Sequence, residues 1–126
     1  EAAEQETPVI QAAEGWLSDY FAGRRPSPST LPLAPEGTAF QKLIWGYLLE
    51  IPFGEVCTYG KLAQRAAGDM GREKMSAQAV GGAVGRNPIG IIIPCHRVIG
   101  ANGQLTGYAG GLDKKIWLLR HEEEHK

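Results

Sequence analysis

The sequence predicts a mainly α-helical domain with a small hairpin or short sheet in its second half. Three observations carry this. Apolar residues recur at helical spacing in successive segments, the strand-like apolar run "III" at 91–93 is short, and Asn102-Gly103 stands between two short runs as a hairpin signal.

Residues 8–22, PVIQAAEGWLSDYFA, place apolar groups at 9, 10, 13, 16, 17, 20 and 21, with Pro8 in the first turn and Gly23 as the stop. Four prolines in residues 24–36 exclude a helix or central strand, so this stretch reads as a covering loop or linker. Residues 38–50 form the next helix, capped by Thr38 and striped by Phe40, Leu43, Ile44, Tyr47 and Leu48. Thr58 caps a helix reaching Ala67, with Leu62, Ala63 and Ala66 inward. A turn around GDMG leads to a further helix over 76–84, carrying AQAVGGAVG. Helix, turn, helix is a frequent nucleic-acid-binding shape. Ile91–Ile93 reads as a short strand, and Asp113 as the cap of a last helix whose apolar residues are Ile116, Trp117 and Leu119. A hairpin beside a helix-turn-helix gives a winged-helix-like arrangement. The expected division is a helix and linker over 1–36 and one domain over 37–126.

A chain of 126 residues supports one modest core. No apolar run approaches the ~20 residues of a membrane span, so no membrane partner is expected. The sequence opens EAAEQE, without signal-peptide character or an initiator Met, and is expected to be processed or part of a longer product. Cys57 and Cys95 are too few for a disulfide framework and lack zinc-ligand spacing, which points to a reducing intracellular compartment and to no metal. Net charge is −1, unevenly distributed. Residues 1–56 hold three basic against eight acidic residues, and residues 57–121 hold nine basic against three acidic ones. A basic block of this kind suits a polyanion, although solvated helix faces produce the same count.

Chemistry concentrates in IIIPCHR, residues 91–97. Most free cysteines are small apolar filler, and that reading suits Cys57. Cys95 differs in following a proline at the end of an apolar run, next to His96 and Arg97. A thiol of pKa ~8.5 is only a few per cent ionised at neutral pH, so an adjacent base or cation matters. In extended chain His96 points away from Cys95, so it reaches the thiol through a water or after a turn. With Glu122 these residues permit a thiol–imidazole–carboxylate relay. Gly81 and Gly82 each cost ~1 kcal/mol relative to alanine in a helix, which suggests that something approaches this backbone closely, either another helix or the walls of a DNA minor groove.

The blocks IPFGEVCTYGKLA, AVGGAVGRNP, IPCHRVIG, TGYAGGL and WLLRHE, in this order, resemble the active-site domain of O6-alkylguanine-DNA alkyltransferases over about residues 37–123. WLSDYFAGRR and LPLAPEGTAFQ resemble the end of the linker before that domain. The family's usual N-terminal α/β domain has no counterpart in the sequence. The resemblance implies a monomer that binds double-stranded DNA by the minor groove and flips O6-alkylguanine out of the duplex. It then transfers the alkyl group irreversibly to its own cysteine, once per molecule and without a cofactor. Such a protein acts in the cytoplasm of a prokaryote or the nucleus of a eukaryote.

By position, Cys95 resembles the alkyl acceptor, His96 its water-mediated activator and Glu122 the carboxylate orienting His96. Asn87 falls where an asparagine braces the cysteine turn, and Tyr59 where a tyrosine donates a proton to the leaving guanine. Tyr108, Ala109 and Gly110 match a pocket-walling loop. Val98 and Gly90 complete the expected pocket. Thr58, Gln78, Ala79, Gly81, Gly82 and Arg86 fall on the DNA-binding and base-flipping segment, and Arg72 and Lys74 in the turn before it offer phosphate contacts. Lys74 is expected to share a helix face with Gln78. One position departs from the family. Gln78 stands where an arginine enters the base stack, and glutamine is shorter, uncharged and cannot stack as a guanidinium does. That leaves a second reading open, a lesion-sensing DNA-binding protein that transfers weakly or not at all. A cysteine hydrolase, which would turn over, is disfavoured by the adjacent Cys-His pair and the lack of an evident oxyanion site.

Overall fold

The computed structural model of the chain describes residues 8–28, 31, 35–87, 89–103 and 111–126. Helix α1 (Pro8–Phe21) opens on the proline, whose missing N–H is harmless in a first turn. Gly23 follows at φ 88°, a left-handed conformation suited to glycine. Helix α2 (Ala39–Leu48) starts in a full capping box. The Thr38 side chain accepts the Gln41 N–H at 3.0 Å and the Gln41 side chain accepts the Thr38 N–H at 3.0 Å. Helix α3 (Tyr59–Asp69) is capped by Thr58 and α4 (Ala77–Gly85) by Ser76. Helix α5 (Leu112–Glu124) ends the chain. Strands β1 (Cys57–Thr58) and β2 (Val98–Ile99) pair in parallel, Cys57 opposite Val98 and Thr58 opposite Ile99.

Two apolar clusters hold these elements. The larger joins α2, α3 and α4 through Ile44, Trp45, Leu48, Leu62, Ala66, Val80 and Ala83, and it includes Ile93, Cys95 and Val98. Alanines where α3 meets α4 let the two helices approach closely, and the Trp45 indole donates to the Ala83 carbonyl at 2.8 Å, tying α2 to α4. The smaller cluster sets Trp16 and Tyr20 of α1 against Leu31, Ile92 and Leu118. The cysteine turn lies between them, with Ile92 anchored in one cluster and Ile93 in the other.

Helix positions and the inward face of α3 agree with the sequence reading. Other expectations are corrected. Ile91–Ile93 is a tight turn, not a strand. The Ile92 N–H donates to Gly90 O at 2.8 Å, the Ile93 N–H to Ile89 O at 3.0 Å, and Ile91 adopts φ 71°. The backbone groups a sheet would need are already engaged. The described sheet is parallel. Asn102-Gly103 falls in a 3-10 turn over Ala101–Gly103, and the return run of the expected hairpin lies outside the described residues. Gly111 rather than Asp113 occupies the cap position of α5 and makes no side-chain cap. The buried face of α5 is Lys115, Leu118, His121 and Glu122, while Trp117 is exposed. Among the described residues no helix is long and apolar enough to cross a membrane.

Helix α4 is the weakest by composition, since Gly81 and Gly82 lie in its middle, so its cap carries more of its stability. Ser76→Ala removes the acceptor of the Ala79 N–H, now at 2.9 Å. It is expected to destabilise the fold by about 1 kcal/mol, read as a lower urea midpoint at unchanged slope. Gln64→Ala, exposed on α3, serves as the control.

Candidate active site

Asn87 builds the turn that carries the cysteine. Its Nδ2 donates to Ile93 O at 2.7 Å and its Oδ1 accepts the Ile89 N–H at 2.9 Å, so one side chain clamps both ends of the turn. The chain then enters a 3-10 turn over Cys95–Arg97, in which all three residues are buried. Neither cysteine is in a disulfide. Cys57 is half-buried and packs against the core.

Behind Cys95 lies a saturated carboxylate. Glu122 of α5 is 1 % exposed. Its Oε2 accepts the Tyr20 hydroxyl at 2.7 Å and Arg97 NH2 at 2.9 Å, and lies 2.7 Å from His96 Nε2. Its Oε1 accepts Arg97 Nε at 2.8 Å and the Gly54 N–H at 3.0 Å. Arg97 also donates to Ile51 O at 2.6 Å. Burial opposes ionisation of Glu122, but the hydrogen bonds from His96 and Arg97 outweigh it and hold its pKa down at about 2. The carboxylate is therefore an acceptor only, which requires that His96 Nε2 carry a proton. Burial pushes the His96 pKa below its usual range against the pull of Glu122, so the ring is neutral at neutral pH. Its lone pair then sits on Nδ1, which is buried and has no hydrogen-bond partner among the described residues. An imidazole held in this tautomer is a base through Nδ1.

Lys115 is fully buried and donates to Val98 O at 2.6 Å. Burial pushes its pKa down, while charge on Cys95 pushes it up, so the ammonium favours a thiolate at Cys95. Its Nζ lies 6.0 Å from the centre of the Tyr59 ring. Tyr59 opens α3, half-buried, and packs beside Gly81 of α4.

The structure thus brings together Cys95, His96, Glu122 and Asn87, with Tyr59 bordering them. Val98 is fully buried, its N–H donating to Cys95 O and its carbonyl accepting from Lys115. Gly90 is exposed within the turn, and Tyr108, Ala109 and Gly110 lie outside the described residues. Thr58 has a capping role, its hydroxyl accepting the Lys61 N–H at 3.1 Å. Gln78, Ala79, Gly82 and Arg86 are exposed along α4 and its end, while Gly81 is half-buried. Arg72 and Lys74 are exposed in the α3–α4 turn and line an open groove of about 530 Å³ with Gly60, Gln64 and Ala77. Lys74 precedes the Ser76 cap, so the expected helix-face pairing with Gln78 does not apply. Among the described residues, a Cβ added at Gly82 would meet no atom within 4 Å. Helix packing therefore does not explain that glycine.

Sequence reasoning missed three site residues. Tyr20 looked like one more apolar-face residue of the first helix, and Arg97 was assigned no carboxylate partner. Lys115 is one of the nine basic residues of 57–121 and carries no expected role, although its spacing of three and seven from Leu118 and Glu122 places it on their helix face.

The network sets the acid stability of the fold. The Glu122 pKa is depressed, so its stabilisation is complete above the unfolded value near 4.5 and is lost as pH falls toward about 2. The depressed His96 pKa acts with the same sign from 6.5 downward. Urea midpoints are expected to fall from pH 7 to pH 3, most steeply below 4.5. Glu122→Gln, which strands Arg97, should cost about 3–5 kcal/mol at pH 7 and flatten that last segment.

Comparison with known proteins agrees with this arrangement. Residues 39–124 match the family model "6-O-methylguanine DNA methyltransferase, DNA binding domain". Proteins named methylated-DNA–protein-cysteine methyltransferase are similar. The one from Methanosarcina acetivorans is 58% identical over 113 residues (90% of this chain, 69% of that protein). The one from Shigella flexneri is 54% identical over 106 residues (84% and 59%). The chain thus spans about 59% of the latter's length. Among solved structures, Mycobacterium tuberculosis OGT in complex with DNA superposes with a TM-score of 0.82 at 44% identity, covering 92% of this chain and 68% of that one. The O6-methylguanine-DNA methyltransferase of Pyrococcus kodakaraensis gives 0.68 at 33% identity, covering 86% and 61%. The chain belongs to the O6-methylguanine-DNA methyltransferase family.

Proposed function

We propose that this chain repairs DNA by accepting the alkyl group of O6-alkylguanine on Cys95, once per molecule. The observation that carries the reading is the buried relay behind the thiol, in which Glu122 fixes the tautomer of His96 and leaves Nδ1 as the basic atom. His96 takes the thiol proton through a bridging water, and the resulting imidazolium is stabilised by Glu122. Lys115 favours the thiolate formed. The sulfur attacks the alkyl carbon, an S–C bond forms, the C–O6 bond breaks, and its electron pair leaves with the guanine. Tyr59 donates the proton that restores neutral guanine, and its phenolate is reprotonated through solvent as the His96 imidazolium gives up its proton, so the one proton lost by the thiol is the one gained by the base. The thioether is not reversed, and no cofactor takes part. Asn87, by fixing the turn, holds the sulfur in line with a single carbon, as a one-step displacement requires.

Duplex DNA is the proposed partner, approached by the minor groove. The exposed, Cβ-free surface at Gly82 and the row Gln78, Ala79 and Arg86 suit a narrow groove, and Arg72 and Lys74 suit its phosphates. In this reading residues 37–126 form the active-site and DNA-binding domain, acting as a monomer, and residues 1–36 the segment before it. The flipped guanine is framed by Val98, Gly90 and the loop containing Tyr108, Ala109 and Gly110. Gln78 fills the gap left in the stack and hydrogen-bonds the orphaned cytosine.

Incubation with duplex DNA carrying O6-methylguanine should add one methyl mass to the protein, located on Cys95, with no turnover. Cys95→Ser should add none while still binding DNA. An unmodified wild-type protein at full DNA occupancy would overturn the reading in favour of lesion sensing. Because flipping costs a few kcal/mol, a better wedge should speed transfer. Gln78→Arg is expected to raise the single-turnover rate on the order of tenfold. Unchanged rate and binding would remove position 78 from the flipping step.

A further inference from the structure

Family resemblance accounts for His96 and Glu122, but the network includes a residue ahead of the segment that the family model matches. Tyr20 lies on α1, ahead of residues 39–124. Its hydroxyl donates to Glu122 Oε2 at 2.7 Å, the same oxygen that accepts from His96. Its ring is fully buried, stacked on Trp16 at 5.7 Å between centroids and packed edge-on to Phe53 at 5.7 Å and His96 at 6.4 Å. Packing alone would be met by phenylalanine. The hydroxyl is the part that packing does not require.

Building on the proposed function, we infer that Tyr20 is a positioning residue whose hydroxyl fixes the Glu122 carboxylate and tunes the basicity of His96, so that the helix before the family-matched domain completes the alkyl-transfer relay. A carboxylate oxygen offers about two lone-pair directions, and Oε2 receives Tyr20, His96 and Arg97. The three compete. Electron density drawn toward the phenol is withheld from the imidazole, which weakens the stabilisation of the imidazolium. The other charged groups facing His96 are fixed by their own partners. Arg97 chelates Glu122 and Ile51 O, and Lys115 of α5 donates to Val98 O. His121 of α5, across the Tyr20 ring, bonds Tyr20 O. Helix α2, which also packs on the turn, carries an exposed Lys42 and a Tyr47 hydrogen-bonded to Asp69. Tyr20 is thus the neutral donor able to trade strength with His96.

The test compares wild type with Tyr20→Phe, which keeps the ring, and with fluorotyrosine incorporated at position 20, which strengthens the donor. Two quantities are read in the full chain. One is the NMR shift of the His96 Nε2 proton. The other is the acid limb of the single-turnover methyl-transfer rate, with DNA affinity as control. Tyr20→Phe should move the proton downfield and the acid limb to higher pH by roughly half a unit, at unchanged DNA affinity. Fluorotyrosine should move both the opposite way. Coincident proton shifts and pH limbs in all three proteins, even with a lowered Tm, would overturn the inference and leave Tyr20 a packing residue. If wild type transfers no methyl group but the Nε2 proton shifts as expected, the proposed function fails and the role of Tyr20 stands.

Discussion

Withdrawing a carboxylate from water is affordable only when donors replace the water, and Glu122 draws those donors from much of the molecule. Tyr20 comes from α1, Gly54 from the loop after α2, and His96 and Arg97 from the cysteine turn, while Glu122 itself ends the buried face of α5. A single anion therefore ties together segments more than a hundred residues apart in sequence. The bidentate Arg97 supplies the compensating charge, which leaves the His96 bond free to be a matter of tautomer rather than of charge pairing. Removing either partner strands the other in a dry interior, where the cost exceeds anything the pair contributes.

The cysteine turn follows from a second constraint. Ile92 and Ile93 are consecutive yet anchor in different apolar clusters, and Asn87 satisfies backbone groups at both ends of the bend. A strand would also send neighbouring residues to opposite faces, but it would carry the chain straight on and leave the Asn87 clamp unused. The bend is reached with Ile91 at φ 71°, an unfavourable conformation for a branched side chain. Such strain persists where the surroundings over-determine it, and here it precedes the proposed nucleophile by four residues.

The helices were legible because their caps and apolar spacing are local signals. Thr38 and Thr58 cap where they were expected to, and the inward face of α3 was read correctly, while Ser76, read as the first helical residue, is the cap of α4. The proposed relay of Cys95, His96 and Glu122 and the bracing Asn87 were legible through motif resemblance, and the structure pairs His96 with Glu122 and sets Asn87 on the cysteine turn. What escaped was tertiary. Tyr20 and Lys115 matter for where one hydroxyl and one ammonium end up, and nothing in residue type marks a buried lysine as different from a solvated one. The Ile91–Ile93 run misled because three β-branched residues favour a strand locally, whereas two separate cores and one asparagine decide the outcome.

The burial of Cys95 bears on how such a site selects its reaction. The residue is only 6 % exposed, next to His96 and coupled electrostatically to the Lys115 ammonium. A reactive thiolate on the surface would meet any electrophile in solution. One enclosed within the core meets mainly what is delivered to it. In the proposed function selectivity then rests on delivery, and delivery on the exposed row of α4, where Gln78 stands. In that proposal Tyr59 joins chemistry and recognition, since its ring lies where a Cβ on Gly81 of α4 would meet it and 6.0 Å from the Lys115 ammonium. A change at position 78 should therefore alter how often the thiol is presented with a base, while a change in the Glu122 network should alter what the thiol does once it is.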